Sequence, residues 1–172
     1  VKYWPKGTVF VSVVDPGVGT SRKACVAKTK NGYYIVTPDN GTLTHIKEMY
    51  GIEEVREIDE TVNRYPGSEK VNVFHGRDLF AYCGARLAAG VITYEEVGEA
   101  YPTEEIVIHE LSYGQYGDGW AEGKIGEALE QFGNISTNIL NDDFEKTGIR
   151  EGDMVHIRIK NKAETVYDSP VL

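Results

Sequence analysis

The sequence predicts an α/β domain, built as a mixed, Rossmann-like sheet with helices, followed by a small all-β domain. Three observations carry this. Short runs rich in Val, Ile and Ala alternate with helix-period patterns through the first part of the chain. A stretch from Tyr113 to Gly126, with glycines among Tyr and Asp, then breaks the pattern and sets a boundary at 117/118. Beyond it the apolar runs are short and strand-like.

The elements follow in order. Val1 to Gly7 is a polar approach closed by Trp4-Pro5. Val9 to Val14 reads as a buried strand, because β-branched residues suit a pleated surface. It stops at Asp15-Pro16-Gly17, since proline cannot donate to a ladder. Asp15 therefore ends a strand on a tight turn, with Arg22 on the same loop. Ligands of open α/β sheets bind at the carboxyl ends of strands, which makes Asp15 a site candidate as well as a turn former. Arg22, taken singly, reads first as a surface charge. Ala24 to Thr29 and Tyr33 to Thr37 form a hairpin through Asn31-Gly32. Pro38-Asp39-Asn40-Gly41 is a turn, with a ligand-lining role as the alternative. Leu43, Ile46 and Met49 give Thr42 to Tyr50 a helical stripe, which Gly51 terminates.

Glu53 to Ile58 is a further strand, Tyr65-Pro66-Gly67 a loop, and Val71 to Phe74 a short strand. Asp78 is placed to cap a helix from Leu79 to Ala89, ended by Gly90. Thr93 and Glu96 have capping-box spacing, and Ile106 to Ile108 reads as a strand. In the second part the strands are Lys124 to Leu129, Ile135 to Ile139, Met154 to Ile159 and Ala163 to Tyr167. Val155, Ile157 and Ile159 alternate with His156, Arg158 and Lys160, which predicts one buried face.

Composition narrows the function. A net charge of −9 argues against a nucleic-acid backbone as partner and mildly favours a cationic ligand. No apolar run approaches the ~18 residues of a membrane span, and no signal peptide is visible. Cys25 and Cys83 lack metal-type spacing and read as buried small apolar residues, consistent with a reducing cytoplasm. The chain opens on Val rather than Met, so it reads as a piece of a longer protein.

Four motifs hold candidate chemistry. DPGVGTSR offers glycines to an anion but lacks the Lys-Ser/Thr pair of a P-loop. FHGRD sets His75 at the entry of a helix, where free N–H groups welcome polar ligand atoms; a structural histidine and a solvated Arg77 are the plainer readings. TPDNGTL contains Asn40. QFGNISTNI pairs the ring of Phe132 with the amide of Asn134, a combination that suits a planar base, against a plain β-turn with a core Phe. A metal site on Asp15, His75 and Asp78 has no support in the spacing, and no HExxH, CxxC pair or GxGxxG occurs.

Taken together and in chain order, VVDPGVGTSR, TPDNGTL, FHGRDLFA and QFGNISTNI resemble the SAM hydroxide adenosyltransferases, the adenosine-forming S-adenosyl-L-methionine hydrolases related to fluorinase and chlorinase. The resemblance implies cleavage of S-adenosyl-L-methionine (SAM) by water to adenosine and methionine, with no cofactor and no metal. It implies an Asp-Arg-His set at Asp15, Arg22 and His75, substrate contacts at Phe132 and Asn134, and a nucleophile pocket lined around Phe74 and Gly76. It implies a β-barrel-like second domain and a homotrimer with active sites at subunit interfaces. Halide-using relatives carry a hydroxyl residue at the position of Gly76 and replace the DPGVGT loop, so this sequence sides with water. The family has a further segment at each end, so both domains are expected to be incomplete here. Tyr82-Cys83 stands where Pro-Ala is usual, and Glu130 where Asp is common. A non-catalytic module that binds SAM or adenosine is the alternative function.

Overall fold

The computed structural model describes residues 3–172; Val1 and Lys2, which open the expected polar approach, lie outside the described residues. The chain divides into two compact units, the first ending at His109 and the second being Glu110–Leu172.

The first unit is built on β2 (Ala24–Thr29), whose residues supply both hydrophobic clusters. Ala24 and Val26 pack on one face with Val36, Leu79, Phe80 and Cys83. Cys25 and Ala27 pack on the other with Ile35, Leu43, Ile52 and Val55. A strand covered on both sides needs a continuous apolar run rather than alternation, and ACVA meets that need. Around it lie β1 (Val9–Val11), β3 (Tyr34–Pro38), β4 (Ile52–Glu57) and β5 (Ala100–Tyr101), in the order β1-β3-β2-β4-β5. The sheet is mixed: β1 runs parallel to β3, while the β2–β3, β2–β4 and β4–β5 pairs are antiparallel. Ile46 of helix α1 (Thr44–Tyr50) and Leu43 just before it pack on one face, and Gly51, at φ +67°, ends the helix as expected.

Several expected elements differ. The Val9–Val14 run forms only three residues of strand, and Val14 is 69% exposed. Its β-branched residues suit a strand, but β1 is an edge of this sheet and the side chains of the run's last residues stay exposed. Val71 to Phe74 and Ile106 to Ile108 are loop, because neither run finds a ladder partner among the described residues. Asp78 does not cap a helix. The helical segment begins at Gly76 as a π-turn, Gly76–Ala81, and continues as α3 (Tyr82–Ala88). Asp78 is inside it, and its carboxylate takes hydrogen bonds from Arg77 Nε and Nη2. The Thr93 N–H does donate to Glu96 Oε2, at 2.7 Å, ahead of a short 3₁₀ turn. Helix α2 (Glu60–Asn63), capped by Asp59, has no counterpart in the sequence reading.

The second unit holds three antiparallel pairs among its described residues: β6–β7 (Gln115–Gly117, Trp120–Glu122), β8–β9 (Ile125–Leu129, Asn134–Thr137) and β10–β11 (Val155–Asn161, Glu164–Val171). A short helix, α4 (Asn141–Glu145), lies between the second and third. The glycine-rich stretch on which composition sets the 117/118 boundary is itself the β6–β7 hairpin. The alternation along β10 does not give a buried face within this unit; Ile157 is 39% exposed. Cys25 and Cys83 are buried and free, and burial pushes the two thiols up to about 12 and about 11.

Gly98 joins the 3₁₀ turn Glu95–Val97 to β5 and lies against the end of β4. Its φ is +153°, and a Cβ there would stand 2.1 Å from the Glu57 carbonyl oxygen. That backbone cannot withdraw, because Glu57 N–H donates to Glu99 and Asp59 N–H to Val97. Gly98→Ala should lower unfolding free energy by about 3 kcal/mol or more, combining backbone strain with overpacking. Urea titration checks this; an unchanged midpoint would contradict the packing described.

Candidate active site

Three segments remote along the chain meet in the first unit. The first is the loop after β1. Its turns are closed by Val18 N–H to the Asp15 carbonyl and Thr20 N–H to the Gly17 carbonyl, and the Thr20 hydroxyl also donates to Gly17. Gly19 sits at φ +77°, where a Cβ would approach the Asn72 carbonyl oxygen to 3.1 Å. This glycine therefore serves two needs, a left-handed backbone and close approach of the loop to the second segment.

The loop brings Arg22 back onto Asp15. Nε lies 3.1 Å from both carboxylate oxygens, and Nη2 donates to Oδ2 at 2.6 Å. The pair is largely withdrawn from water, with side-chain exposures of 9% for Arg22 and 6% for Asp15. Arg22 also stacks its guanidinium over the ring of Phe80, 5.2 Å from the centroid. Phe80 comes from the π-turn, the same segment that His75 precedes.

His75, 5% exposed, lies with Nδ1 2.8 Å from Arg22 Nη2. A guanidinium has only donors, so Nδ1 must accept and the neutral ring carries its proton on Nε2. Burial lowers the His75 pKa from 6.5; the nearby Arg22 and Arg64 cations push the same way, against the carboxylates of Glu60 and Asp15. Its folded value thus lies below its unfolded one. Protonation opposes the folded state, and stability falls as pH drops through the ordinary histidine range.

Asp15 and His75 together engage Nε and Nη2 of Arg22. Nη1 is then the nitrogen of the fork with no protein hydrogen-bond partner among the described residues. The arrangement is a fixed cation with one donor group to spare, which suits an anionic or strongly polarised oxygen.

The third segment is the PDNG turn. Asn40 Nδ2 donates to the Val14 carbonyl at 2.9 Å, bracing the residue before Asp15, and its Oδ1 is buried without a partner. Asp39 in the same turn is structural, accepting from the Tyr101 hydroxyl and the Val107 N–H. Of the other residues singled out by sequence, Phe74 is 55% exposed, with Arg77 over its ring. Its carbonyl accepts from the N–H groups of Arg77 and Asp78. A Cβ at Gly76 would meet only Val13 Cγ1 at 3.7 Å, ordinary contact. Phe132 and Asn134 belong to the second unit, at the β8–β9 turn. Gly133 there is left-handed, and Phe132 is 74% exposed. Sequence reasoning missed Arg64, which lies 3.5 Å from His75 Nε2; no motif surrounds it. Among the described residues no group of three or more His, Cys, Asp or Glu side chains is disposed to hold a metal ion. Nor is any described helix long and apolar enough to cross a membrane.

Comparison with known proteins bears on the same residues. The model of the SAM hydroxide adenosyltransferase N-terminal domain matches residues 1–98. A Methanocaldococcus jannaschii protein named (R)-S-adenosyl-L-methionine hydrolase is 36% identical over 166 residues, covering 94% of this chain and 52% of that protein. A fluorinase of an Actinoplanes species is 28% identical over 194 residues, covering 99% of this chain and 63% of the fluorinase. The chain thus spans about half to two thirds of the length of these two relatives. The crystal structure of an uncharacterized conserved protein from Thermotoga maritima superposes with a TM-score of 0.81 at 38% identity, covering 97% of this chain and 60% of that one.

Removing one member of a largely buried ion pair leaves the other charged and unpaired, at a cost of about 3–5 kcal/mol. Asp15→Ala should therefore lower unfolding free energy by about 3 kcal/mol, measured by urea titration at pH 7. A loss under about 1 kcal/mol would mean that Arg22 finds water or another acceptor, and that the fork is not held as described.

Proposed function

The chain belongs to the SAM hydroxide adenosyltransferase family, and from that premise we propose that it hydrolyses SAM to adenosine and methionine. The observation that carries this reading is the Arg22 fork, fixed by Asp15 and His75 with Nη1 to spare.

The chemistry gives each group a task. Water oxygen attacks the ribose C5′, the C5′–S bond breaks, and its electron pair passes to sulfur. Methionine leaves as a neutral thioether, so no general acid is needed, and the reaction releases one proton. What the site must supply is a water held in line and made more hydroxide-like. A fixed guanidinium stabilises the negative charge that grows on oxygen, and positioning alone contributes up to about 7–11 kcal/mol in favourable cases. In this reading Arg22 Nη1 faces the attacking oxygen, while Asp15 and His75 hold the fork and orient it. The backbone around Phe74 and Gly76 lines the nucleophile pocket, and Asn40, with its unpartnered buried Oδ1, turns toward substrate.

Phe132 and Asn134 supply the stacking face and amide for adenine, and the 74% exposure of Phe132 leaves its ring available. The first unit is then the family's N-terminal domain, its sheet part of a Rossmann-like one, and the second belongs to a barrel-like C-terminal domain. A homotrimer with active sites at subunit interfaces, acting in the cytoplasm without a cofactor, completes the reading. Two buried free cysteines accord with that compartment.

The test is incubation with SAM and EDTA in ¹⁸O-enriched water, followed by chromatography and mass spectrometry. The expected products are methionine and adenosine carrying one ¹⁸O at the 5′ oxygen. Arg22→Ala should lower kcat by about 10²–10³-fold, the effect of losing one oxyanion-stabilising donor. Asp15→Ala should abolish turnover, read at a temperature where it remains folded. Binding of SAM without turnover would select a binding module instead, and 5′-halo-adenosine formed in chloride or fluoride would move the chain to the halide-using relatives.

A further inference from the structure

Arg64 stands at the end of α2, in no motif, and its side chain is only 5% exposed. It is tied down on every side. Nη1 donates to Glu60 Oε2 at 2.5 Å, one helical turn back. Nη2 donates to the Val71 carbonyl at 2.6 Å, and Nε to the Ser68 carbonyl at 3.3 Å. The same Nη1 lies 3.5 Å from Nε2 of His75. The imidazole is thus held between two guanidiniums, Arg22 against one ring nitrogen and Arg64 against the other.

Only one protonation state fits comfortably. A proton on Nδ1 would face the donor of Arg22 at 2.8 Å, donor against donor. With the proton on Nε2 the contact given up is the one from Arg64 Nη1 at 3.5 Å, longer and weaker than the 2.8 Å bond from Arg22 to Nδ1. A doubly protonated ring would set an N–H against each guanidinium. The charged groups around the ring are Arg22 and Asp15 from the first loop, Glu60 and Arg64 from α2 and its end, and Asp78 from the π-turn. Asp15 is spent on Arg22, Asp78 on Arg77 and Glu60 on Arg64. Arg64 therefore acts twice: it opposes the imidazolium directly, and it neutralises the carboxylate that would favour it.

We propose that Arg64 is a positioning residue of this site, a fixed cation that keeps the His75 imidazole neutral so that Nδ1 stays an acceptor for Arg22. The inference rests on the hydrolase reading only for its effect on turnover; its effect on His75 needs no substrate.

The experiment is long-range ¹H–¹⁵N NMR of the His75 ring nitrogens across pH 4–9, in the wild type and in Arg64→Gln and Arg64→Lys. The wild type should show an unprotonated Nδ1 and a protonated Nε2 at pH 7. Arg64→Gln should raise the His75 midpoint by about one unit, a tenfold change in protonation at fixed pH. Arg64→Lys, which keeps the charge, should hold it within a few tenths. The acid limb of the kcat/KM profile for SAM should move upward with Arg64→Gln and be restored by Lys. A purely structural role would lower the rate at every pH without moving the limb. An unmoved His75 midpoint in folded Arg64→Gln overturns the proposal. Should that variant not fold, Glu60→Gln serves: it removes the opposing carboxylate and should lower the midpoint, and no change would be equally fatal. A shifted midpoint in a protein that never cleaves SAM would leave the positioning role standing and remove the hydrolase reading.

Discussion

The site depends on one contact, the fork of Arg22 held on the carboxylate of Asp15 in near-total burial. Two charges taken from water gain little net stability even when well paired, and they lose much if the pairing fails. That asymmetry explains the care spent on the loop that carries both. Gly17 and Gly19 let it fold tightly, Thr20 bonds back to Gly17, and Asn40 braces Val14 from the neighbouring turn. Phe80 covers the planar face of the guanidinium. Each contact narrows the places Arg22 can go until Nη1, the nitrogen without a partner among the described residues, has a single direction.

The sheet and the site share this logic. β2 is the common wall: Val26 and Ala24 pack against Leu79 and Phe80, and that packing sets the helical segment whose entry is His75. The segment enters as a π-turn rather than an α-turn, which seats His75 just before its first residue and Asp78 within it. π-turns are uncommon and frequent at functional positions. Here the turn delivers an imidazole and an aromatic ring to the same guanidinium.

How much of this the sequence disclosed follows from what each feature depends on. β2, β3, their Asn31-Gly32 turn, α1 with Gly51 and the short turn after Thr93 rest on local rules, and they were legible. Val9 to Val14 misled because apolar content reports what a strand could bury, not whether a neighbour exists to cover it. Asp78 misled because a cap depends on where the helix starts, and the π-turn moves that start before it. Asp15 and His75 stood out through the turn and the helix entry. Arg64 could not, since its partners Val71, Ser68 and His75 are set by tertiary folding and leave no periodic mark.

The charges of the site bear on the cation it is proposed to take. A sulfonium approaching Arg22 meets a positive group, which is useful for an attacking oxygen and adverse for a cationic substrate. The adverse part is limited because Asp15 neutralises Arg22, and Glu60 neutralises Arg64, each within hydrogen-bond distance. The remaining variable is His75. Protonated, it would add an uncompensated cation in a poorly screened place and would turn Nδ1 from acceptor to donor, detaching it from Arg22. Kept neutral, it costs the substrate nothing and holds the fork. In the proposed hydrolysis, a buried imidazole between two guanidiniums would meet two requirements at once: it fixes the orientation of the cation that the nucleophile needs, and it adds no charge of the sign that the substrate would shun.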